Sequence, residues 1–446
     1  MKGDFTRQTF DPADAYSAVL LQQGRVLLDA DFNEHAAIQV HALRTLARDL
    51  IGPHGGPGFP IGAVEAGDDE PPDLSIGGGR YYVEGIAVDA TRRPAPVTVP
   101  DSGTVPNPAA PGPWTYWSQP WAYLDPENDD DALPEAFPYV VYLAVGEELV
   151  TAVQDSRLRE AALGATMPDT AARSRVVWQV RATTEVDLAG TDSADQIRER
   201  FATWAESRTG GGRLAARVER PSGADEDPCV VAPESRYRGQ DNQLFRVEIF
   251  NEDSFVWSRD NGSVTFPVDS VDGRWVTLAA LGRDDKLDLH VGDAVTLTDD
   301  ATTLRGTAGV VLRVEDVDVA DRRVLLDADP PAGVGRLPAR HPLLRRWDHP
   351  ASDEPDGAIP LETGSWLDLE DGVEVWFEPD AAYRPGDHWL IPARTLTGGI
   401  EWPAGEDGRP VLRAPHGPAR HVAPLACVRA ANEIQDLRLG FTPLTG

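Results

Sequence analysis

The chain has 446 residues, with 41 lysines and arginines against 73 aspartates and glutamates, a formal net charge of −32 at pH 7. That length allows about three domains with cores of ordinary size. The charge opposes any general surface for phosphate backbones or anionic lipid, so nucleic acid and direct membrane insertion are not expected, and a basic protein or a divalent cation is the better-matched partner.

The stretch Val19 to Gly52 organises the opening of the chain. Val19-Leu20-Leu21 and Val26-Leu27-Leu28 are apolar runs of strand length around Gln23-Gly24, which predicts a hairpin or sharp corner. Asp31, with Glu34 three residues later, has the chemistry of a capping box and predicts a helix starting near Phe32. Gly52 and Pro53 then stop that helix after about five turns. Along it Ala36, Val40, Leu43, Ala47 and Leu50 recur at alternating spacings of four and three, the repeat of helix packing on helix. Two readings stay open: the seam lies on the protein's own β-structure, since two heptads are too few to specify a coiled coil unaided, or it is a self-association or docking surface.

After a glycine- and proline-rich connection (54–60) and an acidic stretch (65–73), Tyr81-Tyr82-Val83 and Ile86-Ala87-Val88 predict a small β-unit beneath the helix. Prolines and acids dominate 94–138, placing a boundary near residue 105. Trp114, Tyr116, Trp117, Trp121 and Tyr123 cluster there; such rings either pack against the adjoining sheet or form a glycan-binding platform. Asp125 to Asp131 is dense in carboxylates but lacks the glycine and the distal glutamate of a calcium loop, so no metal is expected.

Tyr139 to Val145 and Val176 to Val186 read as strands. Ser193 and Gln196 cap a helix whose Ile197, Phe201 and Trp204 share one face. Residues 236–268 alternate as an antiparallel meander, with Asn261-Gly262 as its tightest turn. Arg238, Asp241, Asn242, Arg259, Asp260 and Asn261 form a polar constellation. Two carboxylates beside two guanidiniums admit acid–base chemistry, but no histidine, thiol or activated serine accompanies them, so a fixed salt-bridge and turn network is the preferred reading. Short strands at Trp275–Leu281, Ala294–Leu297, Val310–Val314 and Val324–Leu326 predict a small barrel spanning 268–345. Arg323 to Asp329 repeats Arg25 to Asp31 residue for residue, yet runs into Pro330-Pro331 and must end as strand or loop.

In the last hundred residues strands are expected at Trp366–Leu369, Val373–Phe377, Trp389–Ile391 and Val422–Val428, with Asp371-Gly372 as a hairpin turn. His341, His349, His388, His416 and His421 show no metal-ligand spacing, and no nucleophile elbow or phosphate loop occurs. Cys229 and Cys427 stand alone and read as idle or buried thiols. The charged opening lacks an apolar signal region and no apolar run could span a bilayer, so cytoplasmic folding is expected. The fold class is mainly β and multi-domain: an N-terminal strand-turn-helix docking element with a small β-unit (1–105), a central α+β region with an antiparallel meander (106–267), a small β-barrel (268–345) and a C-terminal β domain (346–446).

The opening Met1-Lys-Gly-Asp-Phe-Thr-Arg-Gln-Thr-Phe10, the run Leu21-Gln-Gln-Gly-Arg-Val-Leu-Leu-Asp-Ala-Asp-Phe-Asn-Glu34, Arg238-Gly-Gln-Asp-Asn-Gln-Leu-Phe-Arg-Val-Glu-Ile249 and Trp257-Ser-Arg-Asp-Asn-Gly-Ser-Val264 together resemble a functionally uncharacterised bacterial family encoded among phage-tail-like contractile injection systems. Residues 386–394 and 421–425 resemble that family's end, and the strand-turn-helix is similar to the start of some phage baseplate and tail-fibre proteins. The resemblance implies a structural part of a baseplate and transfers no catalytic residue. Expected partners are other baseplate or tail proteins and further copies of the chain, as a trimer or a six-fold arrangement. No cofactor is expected. A glycan-binding or glycan-active protein using Trp114 to Tyr123 is the alternative.

Overall fold

The computed structural model describes residues 1–64, 71–93, 112–164, 167–208, 210–218, 236–282, 284–307, 309–350, 354 and 356–441. The boundary expected near 105, most of the acidic stretch and Cys229 lie outside them. The chain is mainly β, with several sheets and few helices. Where four consecutive segments were expected, it forms two compact units built from discontinuous pieces: Met1–Ile38, Glu148–Arg175 and Gly210–Ala419 in the first, and Gln39–Glu147, Val176–Thr209 and Arg420–Gly446 in the second.

The second unit is built on a four-stranded sheet ordered Glu433–Asp436, His421–Ala430, Tyr139–Val150, Arg173–Thr183. Side chains alternate across a strand. Val141, Leu143 and Val145 therefore enter a core with Phe59, Tyr81, Trp178 and Leu425, while Val140 faces the opposite side with Ile197, Phe201 and Cys427. Ile197 and Phe201 belong to the helix Ala194–Ser207, whose cap Ser193 accepts from Gln196 N, as the sequence predicts. Trp114, Trp117 and Trp121 pack on the first core and Tyr116 lies within it.

The first unit holds two face-packed sheets and a barrel. Ile359–Pro360, Ser254–Ser258, Gln243–Asn251, His388–Arg394 and Gly399–Ile400 form five strands, and Trp366–Asp368, Val373–Phe377 and Leu214–Val218 form three. Phe245, Trp257, Phe377 and Trp389 fill the space between. Asp371 and Gly372, with φ of 54° and 83°, make the expected hairpin turn.

The three-stranded meander does not form. Gln243–Asn251 and Ser254–Ser258 pair as a hairpin, but Asn261-Gly262, with φ of 51° and 62°, turns the chain away from it. Thr265–Asp272 then pairs with Trp275–Leu278 and Leu343–Pro350, because Phe266 and Val268 bury in the barrel core. Six strands close that barrel: Thr265–Asp272, Trp275–Leu278, Arg323–Leu326, Val311–Asp318, Asp293–Thr298 and Leu343–Pro350. Among the described residues no helix is long and apolar enough to cross a membrane.

Candidate functional site

The helix α1 (Asp29–Ile51) ends as expected, with Gly52 at φ 94° and its N–H returning to Arg48 O at 2.8 Å. Its start differs. It begins at Asp29, which accepts from Thr6 N and Thr6 Oγ1; of the expected capping pair, Asp31 lies inside the first turn and Glu34 accepts from Thr9 Oγ1. The preceding apolar runs form no strands. Gln23 and Gly24 do turn, with Arg25 N–H donating to Gln22 O, but Val19–Leu21 and Val26–Leu28 join no ladder among the described residues.

One narrow side of α1 is held by the fold. Ala30 and Ile38 are buried. Arg44 lies 2.9 Å from Glu147, and Arg48 lies 3.1 Å from Glu84. The turn at Gly85 presses so closely on the helix that a Cβ there would lie 2.2 Å from Arg44 O, at a φ of 77° that already favours glycine.

The rest of the helix is open. The predicted seam of Ala36, Val40, Leu43, Ala47 and Leu50 is not on the protein's own sheet: Ala47 is half-buried and the others are exposed. Leu43 is 67% and Leu50 65% exposed. Leu20 and Val26 reach 84% and 81%, and Leu21, Leu27, Leu28, Phe32 and Leu46 are exposed as well. Isolated exposed apolar residues are ordinary, but so many within one segment are not.

The polar constellation is divided among three places. Asn261 Nδ2 donates to Met1 O at 3.2 Å and Gly3 O at 2.8 Å, so it pins the opening residues. Asn242 Oδ1 accepts from Thr395 N at 3.0 Å, and Arg238 N–H donates to Asp371 O at 3.0 Å. Only Arg259, Asp260 and Asp241 share a neighbourhood. Arg259 Nε lies 3.4 Å from Asp348 and 3.3 Å from Glu370, and Asp241 takes Lys286 Nζ at 2.9 Å. Burial, then the charge of Asp348, pushes the Asp260 carboxyl up. Sequence reading missed Asp348 and Arg346, 3.3 Å apart with both side chains buried, because nothing local marks a strand carboxylate whose other partners, Ser258 and Arg259, come from a distant hairpin. Asp348 Oδ2 also accepts from Ser258 Oγ and Arg259 N, so the carboxylate ties the hairpin to the last barrel strand.

A family model described as a family of unknown function, DUF6519, matches residues 1–210 and 193–438. The chain belongs to that family. No curated protein and no solved structure matches it.

In this DUF6519 member the aromatic cluster is turned inward. Trp121 meets Trp178 edge-on at 5.7 Å, Tyr116 meets Trp117 at 5.3 Å, and the open face of Trp114 carries Arg92 at 4.5 Å. Asp131 Oδ2 accepts from Asp125 N at 2.8 Å, and Asn128 caps the turn between them. Among the described residues no three His, Cys, Asp or Glu side chains are grouped to hold a metal ion.

Proposed function

We propose that this chain is a structural component of the baseplate region of a phage-tail-like contractile injection particle, assembled in the cytoplasm and held in place by protein–protein contacts. The observation that carries the reading is the number of large apolar side chains left exposed between Leu20 and Leu50, on both sides of the turn at Gly24 and along α1. It supports a docking role because each large side chain removed from water there contributes about 1.5 to 3 kcal/mol, against an association cost of roughly 4 to 15 kcal/mol that several such residues together offset. The backbone of Val19–Leu21 and Val26–Leu28, which joins no sheet among the described residues, adds a template for strand pairing with a neighbour. The likeness of these same residues to baseplate and tail-fibre openings points to the kind of particle. In this reading the buried ion pairs around Asp348 stiffen the body and carry no turnover.

Cryo-EM of particles from a strain producing the wild type or Leu43→Asp tests it. The wild type is expected at the baseplate and the variant absent from otherwise assembled particles; a variant incorporated like the wild type would remove this segment from the docking role.

A further inference from the structure

We infer that copies of this chain associate with one another through α1, side by side, parallel and in register, along Phe32, Ala36, Gln39, Leu43, Leu46 and Leu50. The inference rests on the docking reading above and names the occupant of that surface. These six residues recur at spacings of four, three, four, three and four along the helix side that the fold leaves uncovered. That is the repeat of a left-handed supercoil.

Charge selects a second copy as the occupant. On a chain with net −32 the positions flanking the line are Asn33, Val40 and Ala47 on one side and His35, Ala42 and Asp49 on the other, with a single carboxylate and no lysine or arginine. A basic partner would be met by several acids at these flanks, and Asp49 alone is there. Another copy of the same acidic chain would be repelled by acids there, and a flank nearly emptied of charge is what admits it. Of the charged residues of α1, Glu34 is engaged by Thr9, Arg44 by Glu147 and Arg48 by Glu84.

Gln39 sets the orientation. It is the one polar residue in the line, and its amide carries both a donor and an acceptor. In a parallel, in-register arrangement it faces the same amide of the neighbouring copy and both groups are satisfied. Antiparallel, with the line centred near residue 41, it would be desolvated against leucine. The line is too short to hold an isolated helix, but α1 is already ordered by Ile38, Arg44 and the Gly85 turn, so association meets no helix-folding cost.

The test uses the full chain carrying Phe32→Cys or Leu50→Cys, under mild oxidation, with the wild type and its Cys229 and Cys427 as control. Each variant alone is expected to give a disulfide-linked pair on a non-reducing gel, and the wild type none. Linkage seen only when the two variants are mixed overturns the parallel register. Sedimentation is expected to show the wild type self-associated and Leu43→Asp monomeric, with the melting temperature of the dissociated wild type; self-association unaffected by Leu43→Asp overturns the seam. A wild type that stays monomeric and unlinked, while Leu43→Asp is still lost from the particle, overturns self-association and leaves docking onto a different subunit standing.

Discussion

Lys2 Nζ lies 2.7 Å from Glu248 Oε1, and Arg246 Nε approaches the other oxygen of the same carboxylate at 2.6 Å. One residue of the central strand Gln243–Asn251 thus anchors the first residues of the chain to the five-stranded sheet, with Asn261 holding Met1 O and Gly3 O alongside. Arg246 and Glu248 are both buried. Breaking a buried pair from one side leaves an uncompensated charge, so Glu248→Gln should cost about 3 to 5 kcal/mol in urea unfolding. Lys2→Met should cost less, because desolvation already pulls the Lys2 ammonium down to about 8 against the opposing pull of Glu248.

Acid should weaken the fold in a window set by buried histidines. Burial holds His388 well below its ordinary 6.5 and brings His54 down to about 4. With folded values below unfolded ones, the unfolded chain binds more protons in that range, so this stabilisation is complete above about 6.5 and is lost as pH falls toward 4. Further down Glu248 adds to the loss: although desolvation opposes it, Lys2 and Arg246 hold its carboxyl well below the usual carboxylate range. Thermal melts from neutral pH downward should decline from the histidine window onward; a curve flat to pH 4 would contradict these assignments.

Asp260 and Asp348 should respond oppositely to loss of charge. Asp260 is raised by burial and by Asp348, so its ionised form is disfavoured in the fold, and Asp260→Asn should leave stability at neutral pH unchanged or higher. Asp348→Asn strips Arg259 and Arg346 of a shared, fully buried carboxylate and should lower stability by roughly 3 kcal/mol. Equal losses in chemical denaturation would show that both residues serve the same network.

The exposed seam predicts a salt response. Its flanks carry almost no charge, so raising the ionic strength should change self-association little, in contrast to a contact between acidic faces, which salt or divalent cations would strengthen several-fold. Sedimentation equilibrium at low and high salt separates the two. Leu43→Asp, at a position 67% exposed, should alter unfolding of the dissociated chain by no more than about 0.5 kcal/mol.

Two identical stretches show where local reading ends. Arg25-Val-Leu-Leu28 and Arg323-Val-Leu-Leu326 have the same residues, yet the second is a barrel strand with Val324 and Leu326 fully buried, and the first is an exposed connection into α1. In the barrel, Thr277 and Asp318 flank Arg323 on neighbouring strands, and no described segment pairs with Arg25 in that way. The end of α1 at Gly52, the cap at Ser193, the turn at Asp371-Gly372 and four of the six barrel strands were legible in the sequence, because a helix closes its hydrogen bonds within itself and a turn depends on the φ its own residues tolerate. The partners of Asp348, the departure of Thr265–Asp272 from the meander and the uncovered side of α1 were decided by tertiary structure alone. Strand pairing, ion pairing and burial each depend on which distant segment arrives alongside, and the 3.5-residue repeat of α1 is the same whether it meets its own sheet or another chain.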